Sequence, residues 1–207
     1  MLLLKDEMVR MLRGAAKIWA EQKDYLSEID SRFGDGDHGV TIGKIAALME
    51  QSLDGWQDED AENFLEELGD DIMAIGGGSA GPLYGTMIGG LAGALDGSGA
   101  VDGAVLKQMF SASLEAMMDI TTAKVGDKTM MDALIPAVEA ALQTEGDIPE
   151  ILQAAAEAAA EGAEKSREFV SKFGRARSYK EQTIGTPDAG ALSTSMFFQG
   201  LYEGLNA

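Results

Sequence analysis

The stretch Asp30-Ser-Arg-Phe-Gly-Asp35-Gly-Asp37-His38-Gly39 interrupts the helical pattern of the chain and places three carboxylates within eight residues, followed by the only histidine. Crowded carboxylates repel one another, so the arrangement costs free energy unless a cation neutralises it. Mg²⁺ and Ca²⁺ bind oxygen ligands of this kind. Residues 40–53 then have a helical pattern, and the free N–H groups at a helix N-terminus favour phosphate. The stretch therefore suggests a site for a magnesium–nucleotide complex.

The same stretch also has simpler interpretations. Asp-Gly pairs are common in turns, and a solvated acidic loop needs no metal. His38 is equally compatible with a helix N-cap or a packed imidazole. An EF-hand is excluded, because the spacing D-x-[DN]-x-[DN]-G-x₅-E is absent. On these residues alone, the metal site and the solvated turn both stay open.

The composition limits the class of protein. The 207 residues, 45% hydrophobic and 25% charged, are typical of a globular chain, and we expect one nucleotide-binding helical domain over 1–207. The net charge of −19 argues against nucleic acid or an anionic membrane as a partner. There is no cysteine and no visible signal peptide, so a cytoplasmic protein is expected.

Apolar residues at helical spacing predict an all-α fold of eight helices, without a convincing strand pattern. The expected ranges are about 4–22, 39–53, Asp58 or Asp60 to 75, 82–95, 101–120, 129–143, 148–172 and 189–205. Because the linkers are short, neighbouring helices should run antiparallel.

Residues 73–95 contain no charged side chain and are long enough to span a bilayer. They also contain eight glycines and Pro82, which favours a buried loop followed by a buried helix. Four of the glycines recur at steps of four, which predicts a face for close helix packing: Gly81, Gly85, Gly89 and Gly93.

Other loops carry residues suited to phosphate. The glycine-rich loop 76–82 precedes a helix but is not a Walker A loop, and alone it is more typical of a tight turn. Six of the sixteen basic residues lie between Lys165 and Lys180, as a solvated helix end or as an arm that stabilises a transferring phosphoryl group. In an up-and-down bundle, the loops at about 31–38, 76–82, 121–128 and 173–188 are alternate connections. They should therefore meet at one end and form a composite site.

Five motifs in chain order resemble the dihydroxyacetone kinase L subunits, which are also similar to the C-terminal domain of single-chain ATP-dependent dihydroxyacetone kinases. The resemblance covers nearly the whole chain. The motifs are Asp30…Gly-Asp35-Gly-Asp37-His38-Gly39, Gly77-Gly78…Gly81-Pro82-Leu83-Tyr84-Gly85, Gly126-Asp-Lys-Thr-Met130, Gly174-Arg175-Ala176 and Ile184-Gly185…Asp188…Gly190-Ala191.

The resemblance implies an eight-helix antiparallel up-and-down barrel with the nucleotide at one end. It implies that Asp30, Asp35 and Asp37 hold two Mg²⁺ ions on the phosphates of ADP or ATP. Arg175, joined by Arg177, would stabilise the transferring group. The residues expected to line the nucleotide are His38, Gly39, Val40, Thr41, Gly78, Ser79, Ala80, Thr121, Met130, Arg175, Asp188, Ala189 and Gly190.

The resemblance also implies partners. In the phosphotransferase-system form, a phosphocarrier M subunit rephosphorylates ADP on the L subunit, and the phosphate passes to dihydroxyacetone held on a K subunit. A homodimer and contact with a transcription regulator are further expectations.

Some positions depart from the family pattern. Arg177, Pro187 and the order Ser79-Ala80 are unusual, and Thr121 stands where relatives have glycine. These differences leave open an ATP-dependent kinase subunit for another short ketose such as erythrulose, or an ADP-loaded regulatory binding module.

Overall fold

The computed structural model describes residues 1–57, 60–95, 97 and 100–207, which contain eight α-helices. The helices are α1 (Lys5–Asp30), α2 (His38–Gly55), α3 (Ala61–Met73), α4 (Ala80–Gly89), α5 (Gly103–Ile120), α6 (Met131–Gln143), α7 (Ile148–Lys165) and α8 (Ala189–Leu205). Three 3₁₀ helices, Gly90–Ala94, Ser166–Glu168 and Arg175–Thr183, extend or connect them. The all-α prediction is confirmed.

The helices close into an up-and-down ring. Each helix contacts the next one along the chain, and α8 packs along α1 to complete the circle. Leu3 pairs with Val101 in an isolated antiparallel bridge, the single β-bridge within the described ranges. None of the helices in those ranges combines the length and apolar character needed to span a membrane. The ring has two open ends, and its connections alternate between them.

Large aromatic side chains fill the centre of the ring. Trp19, Tyr84, Phe110, Phe197 and Phe198 are among the largest fully buried side chains. The rings of Trp19 and Tyr84 meet edge to face at 5.1 Å. The indole Nε1 of Trp19 donates to the backbone oxygen of Ser193 at 2.7 Å, so its polar atom is satisfied in the core.

Glycines allow α3 and α4 to approach closely, as the glycine steps predicted. A Cβ built on Gly69 would lie 2.6 Å from the Cα of Gly89, and one on Gly85 would lie 2.6 Å from the backbone oxygen of Gly69. A similar close approach between α1 and α8 involves Gly14 and Gly200. Side chains at these positions would push the helices apart, so the glycines set the spacing of the ring.

Aspartates begin several helices. Asp60 caps α3 by accepting from the N–H of Asn63 at 3.0 Å, in agreement with one of the two predicted caps, whereas Asp58 lies outside the described residues. Asp102 accepts from Ala104 and Val105 at the start of α5. Each such cap satisfies N–H groups that have no partner within the helix.

Several predicted boundaries were wrong. Helix α1 continues to Asp30 rather than ending near residue 22, because Leu26 and Ile29 prolong its buried face. Helix α7 ends at Lys165 rather than 172, where the chain tightens into the 3₁₀ turn Ser166–Glu168. The loop at 76–79 is exposed rather than buried, since it lies at one open end of the ring.

Candidate functional site

A cavity of about 330 Å³ opens at one end of the ring. Its walls come from the four connections that were predicted to lie at the same end of the bundle. They are the turn after α1, the loop before α4, the connection before α6 and the segment before α8. Alternate connections meet there because consecutive helices run in opposite directions.

Three carboxylates converge on one side of the cavity. One oxygen from each of Asp30, Asp35 and Asp37 can be chosen so that all three lie within 4.8 Å of one another, the single group of this kind in the part of the chain that the structure describes. Asp30 ends α1 and its Oδ2 accepts from the N–H of Gly36 at 2.9 Å, which bends the turn back toward the helix. These hard oxygen donors fit a divalent cation such as Mg²⁺.

The three carboxylates on this side of the cavity repel one another. Burial raises the pKa of Asp37, and the neighbouring Asp35 and Asp30 raise it further, while Arg175 opposes the shift. The guanidinium of Arg175 forms an ion pair with Asp35, although 73% of the Arg175 side chain remains exposed. A divalent cation bound among the carboxylates would neutralise them more strongly than this exposed ion pair does.

The glycine-rich loop forms the adjoining wall. Gly77 and Gly78 have φ angles of +134° and +66°, which side-chain-bearing residues rarely adopt. Beneath the loop, the hydroxyl of Thr41 donates to the backbone oxygen of Gly77 at 3.2 Å. Ser79 stands at the N-cap of α4 without making a side-chain cap, so N–H groups at the start of α4 are open to an anion.

A polar network lies under the cavity. The Nε2 of His38 and the hydroxyl of Ser193 are 2.8 Å apart, and the Tyr84 hydroxyl lies 2.6 Å from the same Ser193 oxygen. Burial lowers the pKa of His38 to about 4, so the imidazole is neutral at pH 7. The network joins the starts of α2 and α8 through α4.

The opposite wall is built on buried charges of both signs. Lys128 is 4% exposed and Asp132 is 1% exposed. The carboxylate of Asp132 accepts from the N–H groups of Gly126 and Thr129, each at 2.6 Å. Asp188 caps α8 by accepting from Ala191 at 2.8 Å, and burial is the main cause that raises its pKa to about 7.

The segment before α8 lines one side of the mouth of the cavity. Lys172 pairs with Asp127 at 2.6 Å, and the rings of Phe33 and Tyr179 meet at 5.3 Å. Arg175 lines both the main cavity and a second, outer concavity, whereas Arg177 lines only the outer one. The two arginines that were predicted to act together thus share the outer concavity, but only Arg175 reaches the main cavity.

Most of the predicted site residues line the main cavity. They are Asp30, Asp35, Asp37, His38, Gly78, Ser79, Ala80, Met130, Arg175, Asp188, Ala189 and Gly190. The structure does not bring Gly39, Val40, Thr41, Thr121 or Arg177 to its lining. Gly39 is buried against α1, and the side chain of Thr41 supports the glycine loop from below.

Other residues that contribute to the cavity were not predicted as site residues. Tyr84 and Lys128 line it, and Ser193 supports its floor. Tyr84 and Lys128 stand inside two of the quoted motifs, but a sequence does not show that a lysine will be buried or which carbonyl oxygens it will reach.

Comparison with known proteins identifies the family. The sequence profile of the DAK2 domain matches residues 32–203, which includes all of the cavity lining except Ile29 and Asp30. The chain belongs to the DAK2 domain family. It is homologous to the ADP-binding subunits of dihydroxyacetone kinases and to part of the larger ATP-dependent kinases.

Curated members of the DAK2 family fall into two size classes. The ADP-binding subunit DhaL of the PEP-dependent dihydroxyacetone kinase of Escherichia coli K12 is 29% identical over 97% of this chain and 97% of its own length. An L-erythrulose kinase of Pectobacterium atrosepticum is 34% identical over 88% of this chain. This chain spans about a third (32%) of that kinase.

Solved DAK2-family structures have the same fold. The dihydroxyacetone kinase of C. freundii superposes with a TM-score of 0.74 and 27% identity over 95% of this chain and 34% of the other. The same enzyme in complex with AMP-PNP and Mg²⁺ gives a TM-score of 0.72 at 25% identity, over 94% of this chain and 33% of the other. The carboxylates and glycine loop described above suit a magnesium–nucleotide ligand in this chain as well.

Proposed function

We propose that this chain is the nucleotide-binding subunit of a kinase that phosphorylates dihydroxyacetone or a similar short ketose, and that it acts as one nucleotide-binding domain. The observation that carries the proposal is the cavity in which three converging carboxylates face a glycine loop at a helix N-terminus. Carboxylates and free N–H groups together match a phosphate chain with its cation.

Each wall has a distinct task in this proposal. Asp30, Asp35 and Asp37 would hold two Mg²⁺ ions, which when bound supply positive charge to the phosphate oxygens. The glycine loop would contact phosphate through its N–H groups. The turn from Asp188 to Gly190, facing Met130, would contact the rest of the nucleotide, and the neutral His38 would hold these two parts in register.

Arg175 is the proposed catalytic residue, because its guanidinium reaches Asp35 at the mouth of the cavity. A cation at this position can stabilise the charge on a transferring phosphoryl group. Arg177 lines the outer concavity, so it would assist only if the segment shifts. We expect Arg175→Ala to reduce turnover by roughly a hundredfold. Arg177→Ala should change it about threefold or less, and equal losses in steady-state assays would contradict this division.

The acceptor and the donor come from other subunits in this proposal. A K-type subunit would present the ketose at the open mouth, and a phosphocarrier M-type subunit would rephosphorylate ADP without its release. The similarity to DhaL over nearly the full length of both chains supports this arrangement.

An ATP-dependent kinase subunit for erythrulose is the second candidate, supported by the 34% identity to an L-erythrulose kinase. The two candidates differ in how the nucleotide is held. Denaturing the purified protein and separating the released nucleotides distinguishes them. One ADP per chain supports the cofactor type, while an empty protein that takes up and consumes ATP supports the second candidate. Failure to bind either nucleotide with Mg²⁺ would contradict both.

A further inference from the structure

Lys128 is a charged residue held in an unusual position. It is 4% exposed and lies in the connection between α5 and α6 with a φ of +62°. Lysine rarely adopts a left-handed backbone, and such strain persists only where the surroundings hold the residue firmly. Its side chain must therefore make contacts that offset both the strain and the burial of an ammonium group.

Those contacts join three segments of the chain. The Nζ of Lys128 donates to the backbone oxygen of Ser166, just after α7, at 2.6 Å, and to that of Thr186 at 2.5 Å. The backbone oxygen of Ser166 lies at the C-terminus of α7, where carbonyl groups favour a cation, and it also accepts from the N–H of Phe169 at 3.2 Å. The hydroxyl of Ser166 in turn accepts from the N–H of Asp188 at 2.9 Å. One ammonium thus links the connection before α6, the end of α7 and the turn that starts α8.

The linked segments face each other across one side of the cavity. Met130 and the turn containing Asp188 both line it. A Cβ built on Gly190 would lie 3.4 Å from the Cβ of Met130, so the two segments are already near van der Waals contact. The position of the turn therefore sets the width of the cavity at this point.

Buried charges of opposite sign surround the ammonium. The carboxylates of Asp188 and Asp132 favour its charged form, while its own burial and Arg167 act in the other direction and lower the pKa of Lys128. Among the described residues, no carboxylate oxygen forms an ion pair with the Lys128 Nζ within 4.0 Å. Within the described residues, both hydrogen bonds that Nζ donates go to backbone oxygens, which suits a fixed structural link rather than a mobile group.

We propose that Lys128 is a positioning residue of the nucleotide cavity, whose ammonium fixes the turn Thr186–Gly190 against the 126–130 connection and so determines how tightly a nucleotide is held. This inference rests on the proposed function. It assigns a task to a residue outside the expected metal and nucleotide contacts.

Three variants test it by calorimetry with Mg-ADP. Lys128→Met keeps the alkyl chain and removes the charge, whereas Lys128→Gly also relieves the backbone strain. Lys107→Met is the matched control, because the Nζ of Lys107 also donates to a backbone oxygen, that of Thr144 at 2.6 Å, and neither residue lines the main cavity. We expect both Lys128 variants to weaken binding by roughly tenfold or more, and the control by about twofold or less.

Addition of ethylammonium separates positioning from a general loss of stability. In Lys128→Gly, the free amine can occupy the vacated space and should restore part of the affinity, which it would not do for a globally destabilised protein. If Lys128→Met fails to fold, the glycine variant decides the question. Affinity within about twofold of the parent in a folded Lys128 variant would overturn the inference.

Amide hydrogen exchange keeps the inference distinct from the proposed function. The N–H groups of Asp188 and Ala191 should exchange roughly tenfold faster in ligand-free Lys128→Gly than in Lys107→Met. If the parent does not bind Mg-ADP but these amides respond as expected, the proposed function fails and the positioning role stands. If the parent binds and the amides do not respond, the positioning role fails.

Discussion

The two walls of the cavity handle charge in opposite ways. On the α1–α2 side, Asp30, Asp35 and Asp37 crowd like charges at the surface, with the largely exposed Arg175 as their partner. On the α6–α8 side, Lys128 is buried among backbone oxygens, and Asp132 accepts from two backbone N–H groups. The α1–α2 side, the crowded wall, lacks positive charge and suits a ligand that brings a cation. The α6–α8 side, the satisfied wall, already has hydrogen-bond partners for its buried charges, and these bonds hold its segments in place.

The walls should therefore respond differently to the loss of one carboxylate. Asp132→Ala leaves the N–H groups of Gly126 and Thr129 buried without their partner, so we expect the free energy of unfolding to fall by about 3 kcal/mol. Asp37→Ala removes repulsion and should change it by about 0.5 kcal/mol or less. Urea unfolding without Mg²⁺ measures both, and equal losses would show that the walls do not differ as described.

The pH dependence of stability should expose the satisfied wall. Because the pKa of Asp188 rises from 3.8 to about 7 on folding, the folded state binds more protons between these values. The stability from this group is complete below about pH 4 and is lost as the pH rises through 7, by at most about 1.4 kcal/mol per pH unit. Asp188→Asn, which can still cap α8, should remove that contribution. If the free energy of unfolding of Asp188→Asn differs from that of the parent by the same amount at every pH, the assignment is contradicted.

The crowded wall should respond to salt. Screening weakens repulsion among exposed carboxylates, so added salt should stabilise the ligand-free parent. Asp37→Asn should reduce this gain, by about 0.5 kcal/mol. Asp24→Asn, an exposed position on α1 away from the cavity, controls for the general effect of a chain with a net charge of −19. A salt response of Asp37→Asn equal to that of Asp24→Asn would indicate that the cluster is not strained.

The difference between the walls also explains what could be predicted from sequence. The crowded wall is local: its carboxylates stand within eight residues and glycines separate two of them, so the pattern is visible in the chain itself. The satisfied wall is assembled from distant parts. Lys128 donates to Ser166 and Thr186, which follow it by 38 and 58 residues in the chain. His38 contacts Ser193, 155 residues further along. Apolar periodicity predicted the eight helices and the shared end of their loops, but not such pairings.

The predicted helix boundaries were wrong where the local sequence pattern was weak. Beyond residue 22, α1 is polar at most positions, and only Leu26 and Ile29 continue its buried face. In the segment before α8, the 3₁₀ helix Arg175–Thr183 contains Lys180 at a φ of +51°. Side-chain patterns do not predict a lysine in a left-handed conformation.

The most direct test of the account is calorimetric titration of Mg-ADP into the parent, Asp35→Asn and the Asp24→Asn control. If the converging carboxylates form the metal side of a nucleotide site, the parent and the control bind, and Asp35→Asn loses roughly a hundredfold or more in affinity. Helical content should stay the same in all three. Binding of Mg-ADP by Asp35→Asn with the affinity of the parent would contradict the central claim.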